Sequence, residues 1–177
     1  MANTNAPRGF RPVANLLGGG EYIRTYIHPA TDGTAIGKWD LVTTTGAADT
    51  VEQFDAGDPI LGVALNYTAL SVASGSLGVP VMYTNYWTVL EAQEDSDGGS
   101  IAAASEGLNC TVIVAAANTT TGLSQMMLDS SSVATTSTLD VRLLQPSPRV
   151  GNTVASSYCL WFCSQLDGEL RQASIGI

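Results

Sequence analysis

The sequence predicts an all-β fold, an antiparallel sandwich or barrel of jelly-roll-like or β-tulip-like type, with an extended N-terminal arm and one short helix. Three observations carry this expectation. Apolar and polar residues alternate with period two through most of the chain, as half-buried strands require. Turn-forming clusters punctuate the strands: Thr31-Asp32-Gly33, Gly57-Asp58-Pro59, Asp97-Gly98-Gly99 and Asp167-Gly168. No long stretch carries helical periodicity, and no repeat of solenoid or propeller length is evident.

Residues 1–20 hold Pro7, Gly9, Pro12 and the run Gly18-Gly19-Gly20, which interrupt regular structure and predict an extended arm that leaves the globule. Residues 21–177 then form a single β-rich domain. Ile23, Thr25 and Ile27 share one face of a first strand, and Leu61, Val63, Leu65 and Tyr67 one face of another. A long strand is expected from Val79 to Leu90. The helical candidate is Ser100 to Gly107, with Ser100 as cap, Ala102, Ala103 and Ala104 as helix formers and Gly107 as terminator. Leu139, Val141 and Leu143 alternate with Thr138, Asp140 and Arg142. In Tyr158-Cys-Leu-Trp-Phe-Cys163 both faces are apolar, so this strand is either central and covered twice or turns one face to another subunit.

The chain has 177 residues and a net charge of −9, and only 13% of its residues are charged, against roughly 25% in soluble domains. So weakly charged a surface suits a protein covered in an assembly. Between Lys38 and Arg142 there is no basic residue, while acids run from Asp40 to Asp140; nucleic acid is therefore excluded as a partner, because phosphate binding needs clustered Lys and Arg. The opening segment, with Arg8, Arg11, Arg24 and Lys38, has the opposite sign. No apolar run suits a membrane span, and no apolar signal core opens the chain, so synthesis in a cytoplasm is expected. Cys110, Cys159 and Cys163 lack zinc spacing and read as buried, reduced thiols.

Chemistry-bearing patterns are sparse. His28, the single imidazole, precedes Pro29 in a turn-like context with no nucleophile elbow in the chain. Glu91, Glu94, Asp95 and Asp97 form the sharpest polar cluster, but Asp95-Ser-Asp97-Gly supplies only half of a calcium loop. Neither a P-loop nor a dinucleotide fingerprint is present. No catalytic residue, metal or cofactor is expected.

The opening Asn5-Ala-Pro7-Arg-Gly9-Phe-Arg11-Pro-Val13 resembles the start of the decoration or cement proteins of tailed-bacteriophage heads. Pro29-Ala-Thr-Asp-Gly-Thr34, Asp58-Pro-Ile-Leu-Gly-Val63, Gln93-Glu-Asp-Ser-Asp-Gly-Gly99 with Gly107-Leu-Asn109, and Thr121-Gly-Leu-Ser124 with Leu128-Asp-Ser-Ser131 resemble that family in order and spacing. The resemblance reaches to about Leu144. It implies a non-enzymatic virion protein on the outer capsid surface, bridging and stabilising adjacent major capsid protein subunits, and a homo-oligomer with a dimer favoured over a trimer. The arm residues Arg8, Phe10, Arg11 and Val13 are the expected capsid contacts, and Leu160, Trp161 and Phe162 the expected oligomer or capsid interface. Two other readings compete. A carbohydrate-binding β-sandwich module displayed on a virion would use an aromatic and acidic row of Tyr83, Trp87 and Glu91 on one strand face. A small hydrolase would use Glu91, Glu94 or Asp97 with a strongly raised pKa in a cleft.

Overall fold

In the computed structural model, which describes residues 3–18, 21–69, 75–166 and 168, the chain is a nearly all-β sandwich of antiparallel sheets. The strands are β1 (Arg11–Asn15), β2 (Ile23–His28), β3 (Leu41–Thr44), β4 (Val51–Gln53), β5 (Gly62–Ala64), β6 (Leu77–Tyr83), β7 (Thr88–Gln93), β8 (Asn109–Cys110), β9 (Val112–Ile113), β10 (Met127–Leu128), β11 (Val141–Pro146) and β12 (Leu160–Gln165). The first sheet has the order β1-β7-β12-β11-β8 and the second β2-β6-β5-β3-β4, with β10-β9 as a separate pair. Among the described residues no helix is long and apolar enough to cross a membrane.

Two apolar clusters follow from this arrangement. The larger fills the space between the sheets: Leu90, Leu143, Trp161 and Cys163 from the first sheet meet Leu41 and Val63 from the second, with Phe10, Phe54, Ile60, Met126 and Leu128 between them. The smaller, Tyr26, Ile36, Val42, Val51, Leu61, Ala64, Val79 and Val81, lies on the other face of the second sheet. That sheet curls until the turn before β4 reaches β2, through a parallel bridge between Ile27 and Thr50. It is half a barrel around its own small core.

The curl decides which face of β2 is buried. Tyr26 and His28 point into the small core, whereas Ile23 and Ile27 remain exposed on the outside of the curl. The alternation read from the sequence is present, with its buried side on the other face.

Three expectations need correction. The arm does not leave the globule: β1 pairs with β7 as an edge strand of the first sheet, and Phe10 is fully buried. The expected strand from Val79 to Leu90 is two strands in different sheets. Asn85 breaks it, because its side-chain carbonyl accepts from Trp87 N (2.8 Å) while Thr88 N donates to Asn85 O (2.9 Å), a side-chain-closed turn that carries the chain from one sheet to the other. The helical candidate shrinks to one 3₁₀ turn, Ala103–Ser105, without a side-chain cap. Ile101 N donates to buried Glu94 Oε2 (2.7 Å) and Gly107 N to Leu143 O (2.8 Å), and these ties leave room for one turn only. Gly107 does close it, at φ +81°.

Candidate functional site

The strand register aligns a row of side chains across the outer face of the first sheet. Arg11 lies opposite Glu91, Glu91 opposite Phe162, and Phe162 opposite Gln145. Glu91 is only 5% exposed, so its charge needs compensation. It accepts from Arg11 Nη2 (2.9 Å), Arg149 Nε (3.0 Å) and Ser147 Oγ (2.6 Å). One carboxylate thus ties the N-terminal segment, β7 and the 147–158 loop together.

A second clip lies beside it. The Gln93 side-chain amide donates to Thr4 O (2.7 Å) and Tyr158 O (3.1 Å), while Ala6 N donates to Gln93 Oε1 (3.0 Å). Asn3 exchanges hydrogen bonds with the backbone of Thr153 (2.9 and 2.8 Å). Residues 3–8 are therefore a strap across the sheet, held at four points by their own chain.

The expected contact residues separate accordingly. Phe10 is a core residue and not a surface contact; Gly9, at φ +71°, turns it inward, where any side chain at position 9 would collide with Ser124 and the Trp39 carbonyl. Arg11 is half-buried and paired, while Arg8 and Val13 are exposed. Trp161 faces the main core with no exposure, because β12 is central between β7 and β11. Leu160 and Phe162 are half-buried on the outer face.

A group of exposed apolar side chains lies elsewhere, where edge strands β1 and β2 run along the same open side of the sandwich. A groove of about 550 Å³ separates them, lined by Pro12, Val13 and Asn15 on one wall and Tyr22, Met82 and Tyr83 on the other. Around it stand Leu16, Leu17 (68% exposed), Tyr22 (65%), Ile23, Tyr86 and Trp87. Tyr22 stacks on Tyr83 with ring centroids 5.1 Å apart, which holds the aromatic wall upright. Glu21 is, among the described residues, the one charged residue lining the groove. Among the described residues β1 has no second strand partner, and β2 is met on its outer edge only near Ile27, whose N–H donates to Asp49 O (2.8 Å). The signal was available in the sequence as Leu16-Leu17 before the glycine run and as the Ile23/Ile27 face, but both read as arm or core.

The remaining candidates are structural in their contacts. His28 is buried, with Nε2 2.9 Å from Asp32 Oδ2. Asp95, Asp97 and Asp129 bring oxygens within 4.8 Å of one another, and Ser130 and Ser131 donate to Asp95 and Asp129. Glu94 is fully buried rather than set in a cleft, and burial raises its pKa. The row Tyr83, Trp87 and Glu91 does not form: Tyr83 is on β6, Trp87 in the turn, and Glu91 on β7 under its arginines. All three cysteines are free and buried, and burial pushes each thiol up. No protein family, curated protein or solved structure matches this chain.

Proposed function

We propose that this chain is a non-enzymatic decoration or cement protein, seated on the outer surface of an icosahedral phage head and bridging adjacent major capsid protein subunits. The observation that carries this reading is the almost uncharged apolar rim around the β1–β2 groove. Contiguous exposed apolar surface of this kind marks a docking face. Burying it against a capsid subunit would return about 25 cal/mol per Å², and the open edge of β1 can accept an added strand. The arm contributes as a fixed wall of the groove rather than as a free clamp. Many copies on one shell multiply modest single contacts into strong retention.

The test is to pellet expanded, decoration-free capsids with the purified protein and count bound copies, while light scattering gives the oligomeric state of the free protein. Wild type should saturate at a fixed ratio per capsid subunit. The variant Leu17→Asp with Tyr22→Asp changes exposed side chains only and should bind at least about 10-fold more weakly. Equal binding of the variant would remove the rim from the interface; no binding of wild type would overturn the reading.

A second reading keeps some support from the same groove, because Tyr22, Tyr86 and Trp87 are exposed beside the side-chain amides of Asn15 and Asn85. Such a set suits a sugar ring. A glycan array separates the two, since a capsid-docking protein should bind no sugar on it.

A further inference from the structure

We propose that a second pocket, between the N-terminal strap, β7 and the 147–158 loop, binds an oxyanion: the carboxylate of an acidic side chain or an inorganic phosphate. Three of the seven cationic residues of this acidic chain, Arg8, Arg11 and Arg149, converge on this one space of about 270 Å³. Arg8 and Arg11 come from the N-terminal segment and Arg149 from the 147–158 loop, so the convergence is a product of the fold. Among the described residues Glu91 is the single carboxylate in the lining. It cancels one of the three charges and leaves two in excess.

The donors are equally in surplus. Arg11 uses Nη2 on Glu91, and its Nε is buried without a partner. Arg149 uses Nε on Glu91, and among the described residues its two terminal nitrogens make no ion pair, at 42% side-chain exposure. Arg8 is exposed and has neither an ion pair nor a hydrogen bond among the described residues. A buried carboxylate needs one guanidinium for neutrality, so the second and third are not explained by Glu91. Guanidinium forks match the paired oxygens of carboxylate and phosphate. Asn3, Thr4, Asn152 and Tyr158 supply polar walls. The inference is independent of the capsid reading, since it requires only the protein and a small anion.

The experiment uses the full chain at pH 7, titrated with sodium phosphate and with glutarate in a calorimeter, against sodium chloride at matched ionic strength. Saturable one-site binding of at least one oxyanion is expected, together with a rise in Tm that chloride does not produce. Arg8→Gln, which removes no contact of the fold, should weaken it several-fold, and Arg8→Gln with Arg149→Gln at least 10-fold. Arg142→Gln, on β11 outside the pocket, should leave it unchanged. Glu91→Gln should tighten phosphate, because both arginines are released to the ligand. Stronger binding of glutarate assigns the site to a protein side chain, and stronger binding of phosphate to the free ion. Heats no larger than dilution for both anions, or equal binding by wild type and the Arg8/Arg149 variant, would overturn the proposal.

Discussion

Phe10→Ala is expected to destabilise the protein by about 3–5 kcal/mol, although the residue lies in what the sequence marks as a detachable arm. Phe10 has no solvent exposure and belongs to the cluster that holds Leu90, Met126, Leu143 and Trp161. Nothing adjacent can refill its volume cheaply, because its backbone is fixed by Phe10 N donating to Trp39 O (2.9 Å) and by the β1–β7 pairing that follows. Total stability of such a domain is about 5–15 kcal/mol, so this one ring accounts for a large share of it. In urea unfolding the midpoint should fall sharply, and Tm should drop by about 10 °C or more. A change below about 1 kcal/mol would mean that the strap contributes little to the core. The result also bears on how docking is tested. Deleting residues 2–17 removes Phe10, β1 and one of the three partners of Glu91 together, so loss of capsid binding by that deletion would report unfolding of the sheet edge; the exposed Leu17 and Tyr22 give the cleaner test.

The β class and the sandwich were legible because each rests on local alternation and turn chemistry, whereas the two apolar faces of the Trp161 strand fitted a central strand and a subunit contact equally, and only its place between β7 and β11 decides for the first. The arm was misread for a physical reason. Pro7, Gly9 and Pro12 do interrupt regular structure, but Gly9 supplies the left-handed turn that aims Phe10 inward. Pro12 stands on an edge strand, where its missing N–H leaves no ladder bond unmade. Punctuation marks where a chain bends, and it does not say whether the bend leads outward. The site was less legible still. Glu91 lies 80 residues from Arg11 in the chain, and only the pairing of β1 with β7 makes them neighbours. The β2 face was inverted because Ile23 and Ile27 are the more hydrophobic set, while the curl of the second sheet buries Tyr26 and His28 instead.

The protein should be more stable at pH 5 than at pH 8, the reverse of the usual acid response. Asp40, Glu94 and Asp140 are all buried and, among the described residues, form none of the ion pairs. Burial raises the pKa of each, opposed by hydrogen bonds from Ser124, Gly37 N and Gln53 to Asp40, from Ile101 N, Cys159 N and Ser96 to Glu94, and from Val112 N and Gly57 N to Asp140. Asp40 is pushed up from 3.8 to about 6. A carboxyl that holds its proton more tightly in the folded chain than in the unfolded one binds a proton on folding throughout the interval between the two values. Stability therefore increases as pH falls from about 7 towards 4, and the benefit is absent above the folded value. For Asp40 alone the span corresponds to about 3 kcal/mol, and the other two carboxyls act in the same direction. Asp40→Asn keeps an acceptor for Gly37 N and Gln53 and removes the buried charge. It should raise the urea midpoint at pH 8 and flatten most of the pH dependence between 5 and 8. A midpoint that increases with pH over this range, or an Asn variant less stable than wild type at pH 8, would show that Asp40 is compensated within the fold. Asp40 remains useful as a hub either way, because Gln53 donates to both its carboxylate (3.0 Å) and Ala115 O (3.1 Å), so protonation removes an electrostatic cost while the tie from β4 to the 115 segment stays in place.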